Sequence, residues 1–290
     1  MDSKTMMKKL GRIEDLPTLP TILFEVNRLL DDINTSAKKL SDTIIKDQSM
    51  VVKILKLVDS SFYGFRSKVS DISNAVVLLG FNTVRNSVIS VSLIEAFAGK
   101  NALEGFDITE FWKHSLAVAV TSKRLAEKCR VEAPDNCFVA GLLHDIGKLV
   151  LSQYFQDLFT RVWINAQKEN LTFYEAEQME ISVKHPMIGS FLAKKWQFPD
   201  YLVDAVKCHH AVRKNVSNYE LLLIVYMADF IVNHCAMKPD KSIDISAVHP
   251  DAVEMLGSYL ENTNEWYEKL KAEIESACDF FLKEEEQIKQ

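Results

Sequence analysis

Glycine and proline are scarce in this chain: 290 residues include 9 glycines and 7 prolines. An average protein carries about twice that share, with glycine near ~7% and proline near ~5%. Sandwiches, barrels and serial hairpins need these residues at many turns, so an all-β fold is nearly excluded. Glycine-rich phosphate loops are missing too, since neither GxGxxG nor GxxxxGK[ST] occurs. No apolar run reaches about 18 residues, and no membrane span is expected. The first 17 residues hold no apolar stretch of the secretory kind, so no secretion signal is expected. Positive charge is not in excess: the net charge is −6. That disfavours broad nucleic-acid binding. The five cysteines (Cys129, Cys137, Cys208, Cys235, Cys278) are scattered and odd in number. They suit free thiols in a reducing cytoplasm better than a disulfide framework.

What is present is helical patterning. Residues 1–15 read as a polar leader, followed by the stiff segment Leu16-Pro17-Thr18-Leu19-Pro20, where both prolines restrict the backbone. Ile22, Leu23, Val26, Leu29 and Leu30 recur at helical spacing. Thr35 or Ser36 can cap a helix to about Lys46, and Met50, Ile54, Leu57 and Val58 form another apolar stripe. The pattern breaks at 60–65. A short helix over 72–79 ends at Gly80, and a longer one runs to about Phe97. Two glycines within 99–106 mark a lobe boundary. Beyond it, helices are expected over roughly 107–130, 135–155, 157–169, 173–180, 184–196, 199–210, 217–237 and 250–287.

The second lobe holds a chemical pattern. His144-Asp145 sits between apolar residues on both sides. An ionisable pair in such a setting is costly unless something compensates it. A metal ion would, because imidazole offers a neutral nitrogen and carboxylate offers charge. By itself the pair reads more simply as a helix-surface histidine beside an aspartate. Glu110 and His114 stand four apart, one turn apart on one helix face. His185 precedes Pro186 at a helix start, and His209-His210 forms a doublet at a helix end. Asp229 is a single carboxylate within the apolar run 221–232. It is either a ligand or a buried aspartate hydrogen-bonded locally.

The order Glu110, His114, His144-Asp145, His185, His209-His210, Asp229 resembles the HD-domain superfamily of metal-dependent phosphohydrolases, over roughly 107–235. His144-Asp145-Ile146-Gly147-Lys148 looks like its central motif. Trp196-Gln197-Phe198-Pro199, followed by Ala205 and the histidine doublet, is similar to a run of its bacterial signalling branch. In the first lobe, Leu16-Pro17-Thr18-Leu19-Pro20, Asp47-Gln48-Ser49-Met50, residues 54–64 and residues 75–80 resemble the HDOD family.

The resemblance implies an all-α, multi-helix HD-domain-like fold. An N-terminal helical lobe (16–105) would pack on a metal-binding lobe (106–240), followed by a helical extension (241–290). It also implies a pair of divalent metal ions, Fe or Mn foremost, with Zn, Ni and Mg open. Asp145 would bridge them. His114, His144 and Asp229 would hold one ion and His185, His209 and His210 the other, with Glu110 as a further bridge or outer ligand. Asp145 and Lys148 would be the catalytic residues, Lys148 offering charge to a phosphate oxygen. HDOD proteins are associated with bacterial signalling, and many have lost metal ligands. This sequence keeps ligand types at every position. It departs from HD-GYP phosphodiesterases, because Ala211-Val212-Arg213-Lys214-Asn215 follows the doublet in place of Gly-Tyr-Pro.

Two readings of function result. One is a cytoplasmic regulatory protein of signal transduction whose HD-like lobe binds metal. The other is a working phosphohydrolase or phosphodiesterase on a nucleotide-like phosphoester. The expected partners are a phosphate-containing small molecule and a signalling protein. A DNA-binding role is weak, because Arg66, Lys68, Lys123 and Arg124 form no single stripe.

Overall fold

Side-chain caps explain where many of the helices begin. In the computed structural model, which describes residues 2–30, 32–59, 69, 71–97, 106–237, 243–260 and 263–282, Asp2 accepts from the Thr5 N–H at the start of α1 (Ser3–Gly11). After α2 (Thr21–Leu30), Ser36 caps α3 (Ala37–Ile44). Following α4 (Gln48–Asp59), Asp71 caps α5 (Ile72–Leu79). Each oxygen satisfies an amide that the first helical turn leaves without a partner. Gly80 closes α5 at φ 77°, a conformation that only glycine adopts cheaply, and α6 (Phe81–Phe97) starts at once. The leader proves to be partly structural: α1 lies inside it and buries Met6 and Leu10.

Asp107 caps α7 (Ile108–Lys128), which packs chiefly on α8 (Pro134–Leu143) and α14 (Tyr219–Met237). Between them run α9 (Ile146–Tyr154), α10 (Gln156–Glu169), α11 (Phe173–Glu180), α12 (His185–Lys195) and α13 (Asp200–Cys208). Thr172 and Glu175 form a reciprocal capping box on α11. The chain closes with α15 (Pro250–Leu260) and α16 (Thr263–Leu282), the latter lying on α7. No strand occurs among the described residues, and the fold is all-α.

Among the described residues, one helix is long and apolar enough to match a membrane span by composition, over Tyr219–Ala236. It is α14, and it carries Asp229 and packs against α7, α8 and α13. A helix apolar on all sides is one enclosed by neighbours.

The two lobes share a core. Phe97 at the end of α6 meets Trp112 of α7 and Trp196, with ring centroids 6.5 and 6.3 Å apart. The Trp196 indole N–H donates to the Pro17 carbonyl at 3.0 Å, and the Tyr154 hydroxyl donates to the Asp15 carbonyl. On the other side, Thr83 of α6 donates to Asp135 at 2.6 Å, and Asn86 to Asn136 at 3.1 Å, both at the start of α8. Lys123 pairs with Asp135, and Arg124 with Glu127 and Glu273. These two cations are therefore engaged in intramolecular pairs. Arg66, Lys68, the 60–65 break, the 99–105 part of the lobe boundary and the tail beyond Leu282 lie outside the described residues. Cys129, Cys137, Cys208 and Cys278 are free thiols.

Candidate metal centre

The sequence suggests one continuous helix over 135–155, and the structure breaks it at the chemically important place. α8 ends at Leu143, His144 is its C-cap, and Asp145 leaves helical geometry at φ −99°, ψ 6° before α9 begins. The break turns His144 and Asp145 inward together. The other contributors come from separate elements: His114 from α7, His185 from the first turn of α12, His209 and His210 from the end of α13, and Asp229 from the middle of α14.

These side chains form two sets whose ligating atoms lie within 4.8 Å of one another: Asp145, His185, His209 and His210, and His114, His144 and Asp229. Asp145 faces both. Its Oδ1 is 3.0 Å from His185 Nε2 and 3.6 Å from His209 Nε2. Its Oδ2 is 3.3 Å from His144 Nε2 and 3.7 Å from His114 Nε2. Asp229 Oδ1 lies 3.3 Å from His114 Nε2 and 3.5 Å from His144 Nε2. His185 and His209 point their Nε2 atoms at each other across 3.2 Å.

Outer contacts fix most of these rings. Nδ1 of His144 meets the Gly141 carbonyl at 2.6 Å, and Nδ1 of His209 meets the Val206 carbonyl at 2.8 Å. Nδ1 of His185 meets Glu177 Oε2 at 2.6 Å, while Glu177 Oε1 accepts the His185 backbone N–H at 2.8 Å. Asn233 donates to Asp229 at 2.7 Å. Such contacts set the tautomer, leaving Nε2 free to ligate. Lys148 reaches back to Asp145 from α9, and its ammonium lies 5.4 Å from the Phe173 ring centroid.

The donors fit divalent metal. Asp145 Oδ1 and Nε2 of His144 and His210 are buried without a hydrogen bond. Buried polar atoms normally find a partner, and orphans in both ligand sets are what bound cations would satisfy. Imidazole and carboxylate donors without thiolate suit Fe, Mn, Zn or Ni, and carboxylate also suits Mg.

Electrostatics agree. Burial alone would raise the carboxylates, yet neighbouring positive charge wins. Charged His144 and Lys148 hold Asp145 well below its usual range, and hydrogen bonds from His114 and His144 lead in doing the same for Asp229. Burial opposes charge on His144, but Asp145 and Asp229 outweigh it and push its pKa up to about 10. His185 is raised against burial by Glu177 and Asp145. Burial brings His209 down to about 4 and lowers His210 as well, and neighbouring histidines add to both effects. Lys148 is raised, because Asp145 overcomes its burial.

The structure brings His114, His144, Asp145, Lys148, His185, His209, His210 and Asp229 together, and not Glu110. Glu110 is on the first turn of α7, its side chain 65% exposed and paired with Lys113 at 2.7 Å. It shares a face with His114 but lies one turn nearer the helix start. Side chains lean toward the N-terminus, which carries Glu110 away from the cluster. Glu177 is the important residue that sequence reasoning missed. Its only signal was its place eight residues before His185.

A family model for the HDOD domain matches residues 16–212. A solved HDOD domain protein of unknown function from Geobacter sulfurreducens is 26% identical, with a TM-score of 0.77 over 96% of this chain and 98% of that one. A candidate phosphohydrolase from Shewanella amazonensis is 22% identical with a TM-score of 0.74, covering 95% of this chain and 97% of its own, a likeness of fold. An uncharacterised protein of Treponema pallidum is 25% identical over 215 residues, which make up 73% of this chain and 41% of that relative. The match thus spans about two fifths of that relative's length.

Proposed function

This chain belongs to the HDOD domain family, and from that premise we propose that it is a metal-dependent phosphohydrolase of bacterial signalling. It would hold two divalent ions and act in the cytoplasm on a nucleotide-like phosphoester. The observation that carries this reading is Asp145: each of its oxygens faces a different set of ligands. A carboxylate so placed is suited to bridging. Two ions held there, when bound, would lower the pKa of water and neutralise charge on a phosphoryl group.

The chain's own residues do the rest. Gly141, Val206 and Glu177 hold three imidazoles in the ligating tautomer. Asn233 orients Asp229. Lys148 adds positive charge beside Asp145, which favours an anionic substrate. His144, His185 and His209 are fully enclosed, whereas the side chains of His114 and Lys148 are 25% and 20% exposed. Substrate would therefore approach over His114 and Lys148.

The purely regulatory reading also has an observation in its favour. Thr83 and Asn86 of the first lobe grip the start of α8, whose end presents His144 and Asp145. A signalling partner on that lobe could reach the centre through α8. Turnover separates the two readings. Protein loaded with Mn(II) or Fe(II) under reducing conditions is expected to contain about two ions per chain and to hydrolyse at least one of a panel of nucleotide phosphoesters. Asp145→Ala should abolish both. Negligible metal, unchanged by Asp145→Ala, would sink the metal centre. Full loading without turnover on any phosphoester would favour the regulatory module.

A further inference from the structure

His210, half-buried, differs from the three enclosed histidines in what holds its ring. Nδ1 of His144, His185 and His209 each meets an oxygen acceptor within 2.8 Å. Among the described residues no acceptor meets His210, and its Nε2 is buried without a hydrogen bond. Its contacts are through ring faces and edges. Tyr174 stacks on it with centroids 4.2 Å apart and planes 26° apart. His209 lies at 4.1 Å and His185 at 5.1 Å, the latter edge-on.

Tyr174 and Glu177 are three residues apart on α11, on one face of that helix. One steadies His210 by stacking and the other steadies His185 by a hydrogen bond. Both histidines belong to the four-ligand set with Asp145 and His209. The set of His114, His144 and Asp229 takes its outer support from Gly141 and Asn233, with none from α11.

We propose that Tyr174 is a positioning residue for the ion of the four-ligand set, acting through its ring and not its hydroxyl. The inference rests on the two-ion reading above. An imidazole fixed by a hydrogen bond has its tautomer and rotation set in advance. One fixed by stacking alone relies on the flat ring beside it, and without that ring it must be ordered when the ion binds. Loss of outer-shell support for a ligand typically weakens metal binding about 10–100-fold. Removal of a single stack belongs at the lower end, and only one of the two ions should feel it.

The test uses full-length protein and Mn(II) alone, titrated against a competing chelator, with the metal-free melting temperature measured in parallel. Wild type and Tyr174→Phe should each bind two ions with matching affinities. Tyr174→Leu should keep one ion at wild-type affinity and bind the second about tenfold more weakly. Tyr174→Met, closer in volume, should behave like the leucine variant and serves if that variant folds poorly. Unchanged binding in both non-aromatic variants would overturn the proposal. So would a Phe variant as weak as Leu, or equal weakening of both ions. Wild-type protein that binds fewer than two ions would remove the two-ion reading itself, and the inference with it.

Discussion

Protons and bound metal ions would compete for the same nitrogens in this cluster. Without metal, His144 is protonated at neutral pH, because Asp145 and Asp229 outweigh its burial and lift its pKa to about 10. His185 is shifted the same way, whereas His209 and His210 stay neutral. A raised histidine stabilises the fold fully below its unfolded value near 6.5 and loses that contribution as pH climbs through about 10. Asp145 and Asp229, shifted downward, contribute above 3.8 and lose their share as pH falls through their lower folded values. His209 and His210, shifted downward, work against the fold as pH falls below about 6.5, so the metal-free chain should draw most from this cluster near pH 6.5. Metal should reverse the trend on the alkaline side, since ligands must give up protons. Calorimetry at pH 7.5 in buffers of different ionisation enthalpy should register proton release on loading, His144 giving up its proton. Loading without proton release would mean that His144 is already neutral.

Glu177 makes a second prediction at the same scale. Glu177→Ala leaves Nδ1 of a buried ligand without its acceptor and should weaken metal binding about 10–100-fold. Glu177→Gln retains an oxygen and should lose less. Equal affinity in all three proteins, by chelator competition, would show that the carboxylate does not support the site. Most of the cluster was legible in the sequence because ionisable residues stood against an apolar background, Asp229 most plainly. Glu177 was not, because Glu175, Glu177 and Glu180 look alike until one of them is seen beneath His185. Glu110 misled for the opposite reason: shared helical spacing gives a shared face, but not a shared depth.

At the level of elements, the joint between α8 and α9 organises the centre. The apolar pattern runs unbroken from Leu142 to Leu149, so sequence periodicity suggested a single helix. The break is tertiary in origin. α9 lies so close to α12 that a Cβ on Gly147 would sit 2.0 Å from the His185 carbonyl oxygen and 2.8 Å from the Gly189 nitrogen. That approach sets Asp145 against His185. Gly147→Ala must push the helices apart at backbone atoms that cannot yield. It should destabilise the protein by about 1–3 kcal/mol or more, and loaded metal should fall with it. A variant with wild-type denaturation midpoint and metal content would contradict this account. Helix starts, in contrast, were readable locally. Ser36 caps α3 and Gly80 ends α5 as expected, since caps depend on residues within one turn.

Across the whole molecule, the segments before and after the compositional boundary at 99–106 fold around common side chains. Phe97 is completely buried between Trp112 and Trp196, rings that belong to the second lobe. Composition marks linkers, and it carries no information about which faces meet across them. Phe97→Ala should cost about 3–5 kcal/mol. Helical circular dichroism and tryptophan emission should still be lost together in denaturant. Two well-separated transitions would show that the lobes are independent units.

The order in which the ligands enter the chain has a consequence for biosynthesis. The four-ligand set is complete once His210 has been made, but the other set waits for Asp229 on α14. A nascent chain emerges N-terminus first. Until α14 has left the ribosome and docked between α7 and α13, His114 and His144 lack their shared carboxylate. Full loading of a two-ion centre would therefore be a late, post-assembly event, and a product released before α14 could not complete the second set.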